Sequence, residues 1–148
     1  MSAERFVYKG HSIQGRTEFM PGPEPTHPER PDLVYASPYL PAAAFWLQPG
    51  RRNEDCKIGL DLNTGAVSIR EQRPRGLEER FGGLSGSIYK FSADAFQALE
   101  GGWAGEVVSE HVCVPVEEIP VDDALEYLLV LERKGDVKIL RFRAGHVG

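Results

Sequence analysis

Tyr35 is the residue whose surroundings most resemble a binding corner. It lies near the end of the apolar run Leu33-Val34-Tyr35-Ala36 and stands two residues before Ser37-Pro38, where an alanine-rich apolar segment begins. Ser37 is a suitable helix N-cap, and Pro38 at the first helical position forfeits no hydrogen bond. Such a junction can hold a flat ring against Tyr35 and an anion beside the unfilled N–H groups of a helix start. The same residues also describe a strand-to-helix corner that only builds core. Two carboxylates, Glu106 and Glu110, bracket a valine-rich run. Alternation along a strand puts Val108 and Val112 on their side, so that face is expected to be partly core. Arg51 and Arg52, with Arg70, Arg73, Arg75 and Arg80, could gather into a basic rim that steers a phosphate-bearing ligand, and a nucleic-acid partner stays open on that account.

Composition narrows the classes. A chain of 148 residues with a net charge of −5 fits one soluble domain, 1–148, rather than a general nucleic-acid or anionic-membrane binder, which needs a basic face. No stretch is long and apolar enough to span a bilayer, and Met1-Ser2-Ala3-Glu4-Arg5 lacks a secretory apolar region. A cytoplasmic location with Cys56 and Cys113 reduced is expected. The histidines at 11, 27, 111 and 146 lack zinc-ligand spacing, so no metal is expected. Neither a GxGxxG nor a Walker-type loop occurs, which leaves a Rossmann-type dinucleotide fold unsupported.

The elements that must carry these residues read as an α+β domain dominated by strands. A first strand covers Arg5 to Lys9 and ends at Gly10, followed by a proline-rich loop through residue 32. The strand at Leu33 to Tyr35 and its helix come next, stopped by Pro49-Gly50. Lys57–Leu62 and Ala66–Arg70 flank Asn63-Thr64-Gly65 as a hairpin. Residues 71–84 are a loop with a helical turn at Leu77 to Arg80. A strand at Ser87 to Phe91 precedes a short capped helix at Ser92 to Glu100. Glu106 to Val114 is β-prone. Val121 to Lys134 carries helical spacing with acids at its start and bases at its end, and Val137 to Phe142 is a last strand.

Four of these segments, in order, carry a resemblance. Val7-Tyr8-Lys9-Gly10, Leu33-Val34-Tyr35-Ala36-Ser37-Pro38 with its alanine helix, Ser87-Ile88-Tyr89-Lys90-Phe91, and Gly105-Glu106-Val107-Val108-Ser109-Glu110 are similar to the ADP-ribosyltransferase-like fold, as in small bacterial mono-ADP-ribosyltransferases and NAD-degrading toxin domains. The resemblance spans most of residues 5–130. It implies a split β-sandwich with two or three peripheral helices, and NAD as the bound nucleotide. It also implies that Tyr35 stacks on the nicotinamide and that the Gly10 backbone meets its carboxamide. Lys9 occupies a position usually held by His or Arg, where it would contact ribose or phosphate as a flexible point charge. His11 joins that side only if the strand runs past Gly10, and Ser37 could touch the ligand as well as cap. Glu106, or else Glu110, would stabilise the ribosyl cation.

The function this implies is NAD-dependent transfer of ADP-ribose to an unidentified acceptor, or to water. The alternative is a catalytically silent module of the same fold that binds a nucleotide or a protein partner. Lys9 in place of His or Arg motivates that alternative.

Overall fold

The computed structural model describes residues 5–22, 31–47, 55–61, 63–98 and 105–143. Among these residues the protein is mixed α+β, with nine strands in three small sheets and three α-helices. In chain order the elements are β1 (Phe6–His11), β2 (Val34–Ala36), α1 (Leu40–Phe45), β3 (Cys56–Leu60), β4 (Val67–Glu71), α2 (Gly76–Phe81) and β5 (Gly86–Ser92). A 3-10 turn (Ala93–Ala95), β6 (Gln97–Ala98), β7 (Val107–Ser109), β8 (Glu117–Val121), α3 (Ala124–Arg133) and β9 (Val137–Leu140) follow.

The sheet ordered β1-β5-β8 is antiparallel throughout and separates two apolar clusters. Strand alternation makes the division. Tyr8 and Ile88 point to one side, against Phe45 of α1, Leu77 and Phe81 of α2, Leu128 and Leu131 of α3, and Ile69 and Ile139 of the β3-β4-β9 sheet. Val7, Tyr89 and Phe91 point to the other, against Val34 and Ala36 of β2, Phe19 and Cys113. The third sheet, β2-β7-β6, thus packs one face on the second cluster.

The hairpin forms as its sequence demands, with Gly65 at φ 72° in the turn. The helical turn near Leu77 is real and extends to Gly76–Phe81. Several boundaries differ, each for a physical reason. The first strand does not end at Gly10 but runs on to His11, because β5 offers partners through Ser87. The helix after Ser37 begins at Leu40 with Tyr39 at the N-cap position and Pro41 in the first turn. Its stop at Pro49-Gly50 lies outside the described residues, as do Arg51, Arg52, His27 and His146.

The helix expected at Ser92 to Glu100 shrinks to one 3-10 turn. Ser92 does cap it, accepting the Asp94 N–H at 3.4 Å, but Phe96 then turns against Phe91 and Gln97–Ala98 pair with β7. Long-range pairing overrides the local preference there. The strand expected over Glu106 to Val114 covers only Val107–Ser109. Ser109 Oγ accepts the His111 N–H at 3.2 Å and bends the chain, after which Cys113 pairs with Phe19 through two backbone hydrogen bonds of 2.8 and 2.9 Å. Val112 is left half exposed, and only Val108 of that side is core.

β8 had no counterpart in the sequence reading. Its run Glu117-Glu118-Ile119-Pro120-Val121 is acidic and contains a proline, which only an edge strand tolerates, and β8 is an edge strand. The last helix consequently starts at Ala124, where Asp123 Oδ1 accepts the Glu126 N–H at 3.2 Å.

Candidate functional site

β1 and β2 touch at one residue pair and then part. Tyr8 N–H donates to Ser37 O at 2.7 Å and Ser37 N–H to Tyr8 O at 2.9 Å, an isolated antiparallel bridge. In an antiparallel ladder the backbone groups of alternate residues point to opposite edges. Tyr8 and Gly10 therefore direct theirs away from β5 toward β2, and Ser37 and Tyr35 direct theirs toward β1. Continued pairing would join Gly10 to Tyr35. Instead Lys9 Nζ reaches across and donates to the Tyr35 carbonyl at 3.2 Å. The first two segments of the resemblance thus meet at one bridge, and the ladder stops there, leaving a gap in the backbone pairing between Gly10 and Tyr35.

Tyr35 is half-buried, and its hydroxyl donates to Pro31 O at 2.5 Å. Its cross-strand partner is Val108, which in turn opposes Gln97, so Tyr35, Val108 and Gln97 share a face of the small sheet. Glu106 stands just before β7, where alternation from Val108 gives it the same face. Glu110 lies past the end of β7 in an exposed bend. It lines a shallow cleft of about 180 Å³ with Asp94, Phe96, Gln97, Ser109 and His111. The two acids are thus separated by the length of β7, Glu106 toward the Tyr8–Ser37 bridge and Glu110 toward the end where β1 and β2 have parted.

Ser37 is fully buried. Its Oγ accepts the Tyr39 N–H at 3.1 Å, which tightens the turn before α1, so it is not the helix N-cap expected from the sequence. With α1 starting three residues later and running only six, the helix start expected to hold an anion does not lie at Ser37-Pro38. Gly10 has a packing reason as well as an edge position. A Cβ there would overlap the Ala43 carbonyl of α1. Because β1 continues past Gly10, His11 shares the face of Lys9, the condition under which the sequence reading joined them.

Two of the arginines expected in a basic rim are engaged elsewhere. Arg80 is buried, its guanidinium carbon 4.0 Å from the Phe45 ring centroid, and Arg73 is ion-paired with Asp55 and Glu79. Both cysteines are buried and unbridged, and burial pushes the Cys56 thiol up to about 12. Among the described residues no group of His, Cys, Asp and Glu is arranged to hold a metal ion.

A second polar group lies on the face of the main sheet that carries Val7, Tyr89 and Phe91, and sequence reasoning missed most of it. Glu118 Oε2 accepts the Ser87 hydroxyl at 2.6 Å and the Gly15 N–H at 2.9 Å. The Ser87 bond, then the Gly15 amide, holds its carboxyl below the ordinary glutamate range. Tyr89, expected as core, is fully buried, yet its hydroxyl accepts the Arg16 N–H at 3.0 Å and donates to Ile13 O at 2.7 Å. These bonds fix the loop after β1 over the sheet and bring Arg16 and Phe19 beside Lys9 and His11. The signal available in sequence was a loop too long to be a plain connector.

No protein-family model matches this chain, and no match is found among curated proteins or solved structures.

Proposed function

We propose that the protein binds NAD at the parting of β1 and β2 and cleaves its nicotinamide–ribose bond, passing ADP-ribose to an acceptor or to water. The fold in this reading is ADP-ribosyltransferase-like. The observation that carries it is the register. One bridge, Tyr8–Ser37, aligns the edges of Gly10 and Tyr35 across a gap, with Glu106 on the face of Tyr35. These are three of the roles the chemistry needs.

The Tyr35 ring would stack on the nicotinamide, and the Gly10 N–H and C=O would meet its carboxamide. Glu106 would accept a hydrogen bond from a ribose hydroxyl and offset the positive charge that grows on the ribose as the C–N bond breaks. The bonding pair leaves with nicotinamide, and the acceptor or a water supplies the new bond to that carbon and sheds a proton. Glu110, beyond β7 and toward the end where β1 and β2 have parted, is the alternative residue for the role of Glu106. The test is incubation of the full chain with NAD, following free nicotinamide and labelled acceptor. Release abolished by Tyr35→Ala and, separately, by Glu106→Gln supports the reading, whereas no release and no NAD binding by calorimetry sinks it.

One observation favours a silent binding module instead. Lys9 Nζ donates to the Tyr35 carbonyl and so stands in the opening that a ligand would have to enter. On that reading the chain binds nucleotide without turnover, and a Lys9→His variant gains nicotinamide release that the parent lacks.

A further inference from the structure

β3 is an outer strand of the β3-β4-β9 sheet, and no strand lies beside its far edge among the described residues. Gln72 N–H donates to Asp55 O at 2.8 Å and Asp61 N–H to Ala66 O at 2.9 Å, which sets the phase of the β3–β4 ladder. In such a ladder the backbone groups of alternate residues point to opposite edges. Lys57, Gly59 and Asp61 therefore bond toward β4, while Ile58 and Leu60 direct their N–H and C=O groups outward. The side chains of Ile58 and Leu60 are half-buried against the larger apolar cluster. Lys57 and Asp61 stand exposed on the opposite face.

An open edge is a template for another strand, and a lysine on it ordinarily discourages pairing. Here the lysine has a match. Neither Lys57 nor Asp61 forms an ion pair among the described residues. The hairpin turn holds Asp61 in place, its Oδ1 accepting the Asn63 N–H at 2.9 Å and the Thr64 N–H at 3.4 Å, so Oδ2 remains for a cation.

A second β3 laid antiparallel about Gly59 uses all of these groups. Ile58 then faces Leu60 of the second copy and exchanges both backbone hydrogen bonds with it, and Leu60 does the same with Ile58. Their side chains cover one another on the apolar face. Gly59 meets Gly59 at the two-fold axis. Lys57 faces Asp61 of the second copy, and Asp61 faces Lys57, at the non-hydrogen-bonded positions where side chains come closest. Sliding the strands by two residues either way sets Lys57 or Asp61 against Gly59 and leaves the charges unmatched. A slip of one residue loses the backbone bonds.

We infer that the free edge of β3 is the interface through which two copies of this chain pair, joining their β3-β4-β9 sheets into one sheet across a two-fold axis. A single strand pair is smaller than a standard interface, so this dimer dissociates on dilution. The pairing is independent of NAD.

Sedimentation velocity of the full chain over a concentration series is expected to show monomer giving way to dimer. Lys57→Glu sets like charges opposite one another at both ends and is expected to weaken association by about tenfold or more, as is Asp61→Lys. An equimolar mixture of these two variants is expected to restore association, because each then opposes its new charge to a complement on the other. Should Asp61→Lys unfold the hairpin, amide exchange of the wild type decides. The Ile58 and Leu60 amides should gain protection as concentration rises, and the Gly59 amide, already bonded to β4, should not change. A chain that stays monomeric at millimolar concentration overturns the interface, whether its edge is left open or taken by a different protein. So does a dimer that Lys57→Glu leaves intact or strengthens, or a mixture of the two folded variants that fails to associate. Ile58 and Leu60 amides protected equally at every dilution would also overturn it.

Discussion

Replacing Gly10 by alanine tests whether β1 and α1 are as closely apposed as the proposed site requires. The added Cβ would overlap the Ala43 carbonyl oxygen, and would lie 3.0 Å from the carbonyl carbon and 3.2 Å from the Leu47 nitrogen. All three obstacles are backbone, so no rotamer change can make room. Either α1 lifts from the strand or β1 bows away from it. Inserting one methyl group into a packed interior costs roughly 1–3 kcal/mol, and a rigid helix backbone argues for the upper half of that range. For a chain of this size each kcal/mol lowers Tm by about 2–4 °C, so a fall of about 4–12 °C is expected.

The companion variant separates this cause from ordinary side-chain crowding. Ala43→Gly removes a methyl group but leaves the carbonyl in place, so it cannot relieve the Gly10→Ala clash. It costs about 1 kcal/mol of helix propensity on its own account, and the double variant is expected to be at least additive. Thermal melts followed by circular dichroism read all three proteins. A Gly10→Ala protein that melts with wild type, or a double variant rescued toward it, refutes the backbone contact. Gly10 would then be needed for the ligand edge alone.

Three further outcomes follow from the polar contacts. Glu118 has its carboxyl held below the ordinary range by Ser87 and the Gly15 amide, so the stability it lends exists above the unfolded glutamate pKa of about 4.3 and fades as pH falls through the lower folded value. Amide-exchange protection of Gly15 and Arg16, corrected for intrinsic rates, should drop over that acid window in wild type, and the same drop in Glu118→Gln would contradict it. Cys56 is fully buried with its thiol pushed up to about 12, so a thiol reagent at pH 8 should leave it unlabelled until the protein unfolds. Glu71 accepts Leu77 N–H and Phe142 N–H, each at 2.9 Å, and Arg141 at 3.1 Å while nearly buried, so Glu71→Ala should cost about 3 kcal/mol or more in denaturant titration, with Glu71→Gln losing less.

The sequence disclosed what local chemistry controls. The Asn63-Thr64-Gly65 turn, the strand around Ile88 and the helix ending near Arg133 all follow from turn residues and periodicity, and the structure has them. What it withheld depends on distant partners. Ser37 has the composition of an N-cap, but its backbone is claimed by Tyr8, so the helix has to start later. Ala93 to Ala98 has helical composition, yet β7 recruits Gln97 and Ala98 into a sheet. Arg80 looked like surface charge, and only the folded chain brings Phe45 and Phe81 around it. The meeting of Arg16 with Lys9 and His11 hangs on Glu118, in a strand whose proline and acids conceal it.

The gap itself has a local cause, and that cause can be removed. After Tyr8 and Ser37 exchange both backbone bonds, the next pair on the same edge would be Gly10 and Tyr35, with Gly10 N–H donating to Tyr35 O. Lys9 Nζ holds that same carbonyl at 3.2 Å. A charged donor on an acceptor is worth about 1.5–3 kcal/mol against about 1 for a neutral amide, so the ammonium wins the carbonyl and Gly10 N–H stays directed at the gap. Lys9→Met keeps the side-chain length over Phe19 and gives up the claim on the carbonyl. The expected consequence is closure: Gly10 N–H bonds Tyr35 O, its amide becomes protected from exchange, and Tm falls by less than the lost charged bond alone would give. Lys9→Arg should keep the gap open. Nicotinamide release, where wild type has it, should vanish in Lys9→Met, since the edge that would meet the carboxamide is then used within the protein. A Gly10 amide that exchanges in Lys9→Met as it does in wild type would mean that Lys9 does not hold the strands apart, and its bond to Tyr35 would be a consequence of the split rather than the reason for it.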